Sequence, residues 1–385
     1  MKTSKLCNLR CRYCYEWDDL GDTARMSLDL WEKILIALKA HMATAVERYR
    51  PFAGVRARLI LHGGEPMALP LGYLGDVIAL QNEFLPAEWL AEGTVNRALQ
   101  TNLYRVTDPM LALLKEAQFG IGVSYDGVPG VRLSAAGEET EARVLENLER
   151  LEAWGFPLGI ITVLAGHTAP HITEIYDSFR ERVRRLRFLP LFNGPDSRSL
   201  DLVDASPELL TEALCRLFVH WFDHGCQPEM LPLNGYFRSV ILKMLDLEQM
   251  PYDRRNTGDH VFVVDLDGKL YAPNAAYTGA FGSLMESPIE EILDSAPYLA
   301  TLDADDTARA SICGSCDYRG GCDTYPLLSN PDGGIAQGRC LVAKPVCEFI
   351  ESFLRREGFD EGALRAMFDD IGAGFSDTAP DPLPL

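Results

Sequence analysis

Short apolar runs alternate with longer stretches whose apolar positions recur every three to four residues, and this rhythm holds through about residue 190. The short runs at 58–62, 97–101, 120–125, 159–164 and 185–191 predict strands. The longer segments at 28–48, 71–84, 109–117, 140–154 and 172–184 present one apolar face each and predict helices between them. Strictly alternating strands and helices read as βα units around a parallel sheet. About six such units would form a partial barrel, open on one side, with its chemistry at the carboxyl ends of the strands. Few residues precede the first cysteine, Cys7, so the opening strand is expected to be short.

Beyond residue 193 the pattern becomes helical, with candidate helices at 207–222 and 236–247. Residues 260–271 then read as a hairpin: an apolar run, a turn at Asp265-Leu-Asp267-Gly268, and a returning Lys269-Leu-Tyr271. A cysteine-rich stretch leads into a helix at 347–356, and 376–385 is a Pro- and Asp-rich tail expected to be disordered. The expected organisation is a βα domain over 1–192, a helical linker over 193–255, a cysteine-bearing domain over 256–357, and a terminal helix with an acidic tail over 358–385.

Composition narrows the partners. At 385 residues and 47% hydrophobic content the chain can bury a large core. Its formal charge of −20 disfavours phosphate backbones and anionic lipid surfaces, so neither nucleic acid nor membrane is an expected partner. The same surface is compatible with a basic peptide. No run approaches the ~18 apolar residues of a membrane span, and no signal peptide is evident, which predicts a cytoplasmic protein. Ten cysteines in such a chain argue for metal or redox chemistry over disulfides.

Three of them crowd one short loop, Cys7-Asn-Leu-Arg-Cys11-Arg-Tyr13-Cys14. Three thiolates at this spacing can hold three irons of a cubane cluster and leave the fourth iron open to another ligand. A structural zinc site would need a fourth protein ligand, and the first histidine is His41. Tyr13 stands where an aromatic ring could lie along an adenine. The loop CNLRCRYCY resembles the cluster loop of radical S-adenosylmethionine enzymes. That resemblance implies a [4Fe-4S] cluster whose open iron binds S-adenosylmethionine and reductively cleaves it to a 5′-deoxyadenosyl radical. It also implies a reductant such as flavodoxin or ferredoxin.

Further segments match the family in order. His62-Gly63-Gly64-Glu65-Pro66 closes the strand at 58–62; its glycines let the backbone come close to a ligand, and Glu65 offers a carboxylate to an ammonium group. Alone the segment is an ordinary turn. In its place after the cluster loop it resembles the motif that binds the amino group of S-adenosylmethionine. Gln100-Thr101-Asn102 and Ser124-Tyr125-Asp126-Gly127 end the next two strands. By the resemblance, Ser124 approaches the ribose and Arg132 the methionine carboxylate. Asp126 reads equally well as an Asp-Gly turn.

The second cysteine group is Cys313-x2-Cys316-x5-Cys322, followed by Cys340. Four thiolates could hold a full cubane cluster or a structural zinc. With the hairpin and Gly282-Ser-Leu284, the group resembles a SPASM domain, the extension of peptide-modifying radical S-adenosylmethionine enzymes. That family pattern carries ligands for two auxiliary clusters. Here Asn256, Asn274 and Pro326 stand at ligand positions of the first cluster, while Cys313, Cys316, Cys322 and Cys340 match those of the second. One auxiliary [4Fe-4S] cluster is therefore expected. Cys347 is left over as a buried thiol, a substitute ligand or a catalytic hydrogen donor. Cys215 and Cys226 read as structural. His220 and His224 have metal-like spacing on a helix but no third ligand in view, and His167 and His171 read as ordinary core or surface residues.

The expected fold is thus α/β, a partial (β/α)6 TIM-like barrel with a smaller C-terminal iron–sulfur domain. The expected activity is hydrogen abstraction from a precursor peptide, forming a cross-link (cyclophane or thioether) in a ribosomally made peptide. Any leader would be read by the carboxyl-terminal domain or by a separate leader-binding protein. The alternatives are a peptide epimerase, a formylglycine-forming enzyme like the sulfatase maturases, a small-molecule dehydrogenase, or a non-catalytic iron–sulfur or zinc scaffold.

Overall fold

The structure, a computed structural model, describes residues 1–48, 54–191, 205–248, 261–272, 279–319, 335–336 and 339–374. Its centre is a seven-stranded sheet. In chain order the strands are β1 (Lys2–Ser4), β3 (Ala57–Gly63), β4 (Val95–Thr101), β5 (Gly120–Ser124), β7 (Leu158–Leu164), β8 (Arg185–Pro190) and β9 (Glu229–Leu231), and they lie side by side in that same order. Every neighbouring pair is parallel. Sequential parallel neighbours need a crossover each, and the helices supply them: α1 (Leu28–Arg48), α2 (Leu71–Phe84) with the short α3 (Ala87–Ala91), α4 (Asp108–Glu116), α5 (Glu141–Ala153), α6 (Ile172–Phe179) and α7 (Pro207–Asp223). The sheet is open between β1 and β9, the α/β partial-barrel class that the βα rhythm predicts.

Helices 28–48 and 71–84 have the predicted bounds. The helix predicted at 172–184 stops at Phe179, because residues 182–184 turn back to enter β8: Arg182 N donates to Phe179 O at 2.8 Å and Arg184 N to Leu158 O at 3.1 Å. Two short strands have no counterpart in the periodicity. β2 (Leu9–Cys11) and β6 (Arg132–Ser134) form an antiparallel ribbon on the cluster loop, too short for alternation to register. The seventh barrel strand, β9, is missed for the same reason.

After β9 come α8 (Leu233–Met244) and the predicted hairpin, β10 (Val263–Val264) and β11 (Lys269–Tyr271), extended by β12 (Gly282–Ser283). Helices α9 (Ile289–Leu293) and α10 (Ala296–Cys313), the ribbon of β13 (Ile335–Ala336) and β14 (Arg339–Cys340), and helices α11 (Ala343–Arg356) and α12 (Glu361–Gly374) follow among the described residues. Helix α11 begins four residues before Cys347, so that cysteine sits within it.

One continuous apolar core runs from Trp31 and Leu61 in the barrel through Trp221 and Phe237 to Val346 and Leu354 in α11. The hairpin closes on the barrel. A Cβ at Gly268 would stand 3.2 Å from Leu30 of α1, and Lys2 Nζ lies 3.9 Å from Asp265 while it pairs with Glu16 at 2.8 Å. Asn256, Asn274, Cys322, Pro326 and the tail at 376–385 lie outside the described residues.

Candidate functional site

The three-cysteine loop is framed by backbone hydrogen bonds. Gly64 N donates to Ser4 O and Glu65 N to Leu6 O, each at 2.8 Å, so the end of β3 is fastened to the segment that leads into Cys7. The two glycines are needed for this contact. A Cβ on Gly64 would stand 2.3 Å from Leu6 O and 2.4 Å from Lys5 O, and one on Gly63, where φ is +119°, 2.3 Å from Ser4 O. The close approach they permit is to the chain's own backbone, a packing role beside the ligand contact that the resemblance implies for Gly63 and Gly64. On the other side, β2 pairs with β6 so that Cys11 is opposite Arg132. Arg12 N to Val131 O at 2.9 Å continues that seam.

Glu65 is buried. Its Oε1 accepts from Met67 N (2.8 Å) and the Thr101 hydroxyl (2.7 Å), and its Oε2 accepts from Asn102 N (2.7 Å). A carboxylate has about four acceptor positions, so these three donors leave room for one more, on Oε2, which an ammonium group could take. Burial raises the Glu65 carboxyl above its usual range despite these donors. Pro66 is the first residue of the 3-10 turn that Glu65 caps. Asn102 links the motif to the cysteines, with its Nδ2 3.6 Å from Cys7 Sγ and 2.8 Å from Asn8 Oδ1. Leu9 N also points at Cys7 Sγ, at 3.4 Å. Burial pushes the thiols of Cys7 and Cys14 up to about 12 and raises Cys11 as well. Three desolvated thiols on one loop suit a cation that displaces their protons.

Ser124, at the end of β5, accepts from Gln100 Nε2 at 2.7 Å and keeps its own hydroxyl hydrogen for another partner. Arg132 is buried, and its Nη1 donates to the Tyr13 hydroxyl at 2.6 Å. That hydroxyl donates in turn to Asp126 Oδ2 at 2.6 Å. Asp126 also accepts from Val163 N (3.0 Å) and has Arg132 within 3.8 Å and His167 Nε2 within 3.6 Å. Burial alone would raise the Asp126 carboxyl, but His167, Arg132 and the Tyr13 hydroxyl outweigh it and hold it below the usual range. The Tyr13 ring stacks on His167 with centroids 5.7 Å apart. One face of Tyr13 is therefore occupied, and an adenine would have to use the other.

Asp126 and His167 belong to this site although the sequence reading left the first as an even choice between turn and contact and assigned the second to the bulk. A buried arginine requires a carboxylate partner, which is the signal that could have promoted Asp126. His167 is distant in sequence and carries no motif. Removing Asp126 would strand Arg132. Asp126→Ala is expected to destabilise the protein by about 3–5 kcal/mol, measured by denaturant unfolding against Asp126→Asn, which keeps the shape and two acceptor positions. A change within about 0.5 kcal/mol, as at an unremarkable surface position, would refute the network.

The carboxyl-terminal cysteines are brought together only in part among the described residues. Cys313 ends α10, and Cys316 N closes a turn onto Cys313 O at 3.1 Å. Cys340 lies on β14 and accepts from Lys344 N at 3.3 Å. Between Cys316 and Cys322 the chain is held by Tyr318, whose hydroxyl donates to Glu351 Oε2 at 2.6 Å. Lys243 joins the same carboxylate at 2.6 Å. Cys347 is completely buried in the apolar core, which favours the packing role among its three readings. None of the nine described cysteines is in a disulfide, and no described helix is long and apolar enough to cross a membrane.

Comparison with known proteins places this arrangement. Residues 1–179 match the model of the radical SAM superfamily. The chain is 24% identical over 274 residues to the cysteine-type anaerobic sulfatase-maturating enzyme of Clostridium novyi, covering 70% of each chain. It is 27% identical over 196 residues to the serine-type enzyme of Klebsiella aerogenes, covering 49% of this chain and 44% of that one. Among solved structures, anSMEcpe with bound AdoMet and a Cp18Cys peptide superposes with a TM-score of 0.67 at 19% identity, over 96% of this chain and 97% of the other. Streptococcus suis SuiB, bound to S-adenosylmethionine, gives 0.52 at 13% identity over 78% and 66%. The cluster loop, the seven-stranded parallel sheet and this match agree: residues 1–179 carry a radical SAM domain, whose superfamily uses a [4Fe-4S] cluster and S-adenosylmethionine.

Proposed function

We propose that this enzyme removes a hydrogen atom from a side chain of a peptide substrate and oxidises the resulting radical. The observation that carries the proposal is the hydrogen-bonded frame that seats the three-cysteine loop between Glu65 and Arg132. Cys7, Cys11 and Cys14 would hold the cluster. When bound and reduced, cluster and S-adenosylmethionine together supply the 5′-deoxyadenosyl radical. Glu65 would take the ammonium group on Oε2, Ser124 would donate to the ribose, and Arg132, tied to Tyr13 and Asp126, would face the methionine carboxylate. The carboxyl ends of the strands enclose this constellation, which limits loss of a reactive species to water.

Cys313, Cys316, Cys322 and Cys340 would hold one auxiliary [4Fe-4S] cluster, which would supply an acceptor for the electron that the substrate radical gives up. Domain roles follow: generation of the radical over 1–192, a linker over 193–255, and electron acceptance over 256–357, with a reductant such as flavodoxin or ferredoxin delivering the first electron. The peptide class of substrate is supported by the sulfatase-maturating relatives and by the fold neighbour bound to a peptide.

Two products are consistent with this chemistry. A cross-link in a ribosomally made peptide is favoured by Asn256, Asn274 and Pro326, which leave a single auxiliary cluster. Formylglycine is favoured by the names of the relatives. Mass spectrometry of peptides incubated with the reduced enzyme and S-adenosylmethionine separates them. A cross-link removes two hydrogens and nothing else; formylglycine from cysteine also exchanges sulfur for oxygen, and formylglycine from serine, which has the same mass as a cross-link, is told apart by the hydrazone its aldehyde forms. Formation of 5′-deoxyadenosine with no change in any Cys-, Ser- or aromatic-containing peptide would sink the peptide reading.

A further inference from the structure

His220 and His224 stand one turn apart near the end of α7, and the sequence offers them no third ligand. The fold supplies one. Asp177, on α6, brings Oδ1 to 2.8 Å from His220 Nε2. Among the described residues these three form the one group of His, Cys, Asp and Glu side chains whose ligand atoms all lie within 4.8 Å of one another. We propose that Asp177, His220 and His224 bind a divalent transition-metal ion, zinc in the first instance, that clamps the barrel helix α6 to α7.

The tautomer of His224 is already set for a ligand, while at His220 the ion would displace the hydrogen that Nε2 donates to Asp177. His224 Nδ1 donates to His220 O at 2.7 Å, so its Nε2 carries the lone pair, the arrangement in which a ligating imidazole is oriented by a carbonyl on its far nitrogen. The two rings meet edge to face at 4.7 Å, and both rest against Tyr176, at 5.4 Å and 5.8 Å. Tyr176 is completely buried and anchored through its hydroxyl to Gln227 O at 2.6 Å, which gives the histidines a rigid backing. The ligating edge is open to solvent: the side chains of His220 and Asp177 are 33% and 48% exposed. Two imidazoles and one carboxylate suit an ion of intermediate hardness and leave a position for water. Zinc bonds to N and O of about 2.0–2.2 Å place two ligands of one ion up to about 4.4 Å apart, so small side-chain rotations suffice.

One group competes. Arg180 Nε lies 3.6 Å from the same Asp177 oxygen, but its Nη2 already pairs with Glu181 at 3.0 Å, giving it a place to withdraw to. The location gives the ion a role. Helix α6 closes the segment matched by the superfamily model, and α7 packs against α11 and, through Phe218, Trp221 and Phe222 on Phe237, against α8 of the later part of the chain. An ion there would staple the radical-generating half to the helices that carry the rest.

The test uses the full chain with its clusters reconstituted anaerobically, then equilibrated with zinc sulfate, desalted, and assayed for zinc and iron. Wild type is expected to retain one zinc per chain beyond its iron. His220→Asn/His224→Asn is expected to bind it at least ~10-fold more weakly at unchanged iron content. Arg180→Gln, which leaves all three ligands in place, is expected to bind zinc more tightly and to raise the zinc-dependent shift in unfolding temperature. Equal zinc retention by wild type and the double variant would overturn the proposal, as would no retention by wild type or no gain in Arg180→Gln.

Discussion

Replacing Cys7, Cys11 and Cys14 together by alanine is expected to lower the iron content of the reconstituted protein from about eight to about four per chain and to abolish 5′-deoxyadenosine formation. The physical basis is that all three thiols lie on one loop framed by β3 and β6, so the triple change removes the whole thiolate set of that loop at once. The residual irons would report Cys313, Cys316, Cys322 and Cys340. EPR of the variant should then show a single cluster species, and Cys11→Ala alone should already stop cleavage of S-adenosylmethionine. Iron falling from about four to none, with zinc in the protein, would instead make the carboxyl-terminal site structural. That outcome would remove the electron acceptor from the proposed function. Survival of 5′-deoxyadenosine formation in Cys11→Ala would break the assignment of the loop itself.

The second large effect is expected from a single methyl group. Gly64→Ala would place a Cβ 2.3–2.4 Å from two backbone carbonyl oxygens, Leu6 O and Lys5 O. Backbone on both sides cannot yield as a flexible side chain would, so the strand end and the loop entry must separate. The bonds from Gly64 N to Ser4 O and Glu65 N to Leu6 O are the ones at risk. Overpacking of this kind costs about 1–3 kcal/mol or more, and here it falls on the positioning of Cys7. The expected result is loss of the amino-terminal cluster, about four irons, with the far cluster retained. Gly72→Ala is the control, because nothing lies within 4 Å of the added Cβ and the position is in helix α2. There alanine should be neutral or stabilising by up to about 1 kcal/mol. If both variants keep full iron, the role given to Gly64 is wrong.

The two predictions separate what Gly63-Gly64-Glu65 does from what its resemblance implies. The resemblance assigns the motif to the amino group of S-adenosylmethionine. The geometry gives it an additional task that is independent of any ligand: Glu65 cross-braces Met67, Thr101 and Asn102, and Asn102 reaches Cys7. One carboxylate thereby couples the ends of two strands to the cysteine loop. A variant such as Glu65→Gln would therefore weaken both the site and its scaffold, which makes it a poorer discriminator than the glycine.

The βα rhythm, the bounds of α1 and α2, the two cysteine groups and the parallel sheet were all determined by sequence alone, because each rests on local periodicity or fixed spacing. A helix with one apolar face and a short strand buried in a parallel sheet leave a mark in their own residues. The three-residue strands β2, β6 and β9 leave none, since alternation over three residues is indistinguishable from chance and their pairing is decided by what they meet. The site divides in the same way. Cys7, Cys11 and Cys14 are legible because the loop brings its own ligands within one turn of chain. The Tyr13–Asp126–Arg132–His167 network draws on three separate segments, and only the closing of the sheet brings Tyr13 and His167 to the arginine and aspartate of 126–132. Asp177 meets His220 and His224 for the same reason: helix spacing pairs the histidines, but the third ligand arrives from a neighbouring helix. Sequence determines contacts made within a few residues, where chain geometry fixes distance. Contacts between distant segments were decided by packing, which selects partners by shape, charge and burial once the elements are assembled.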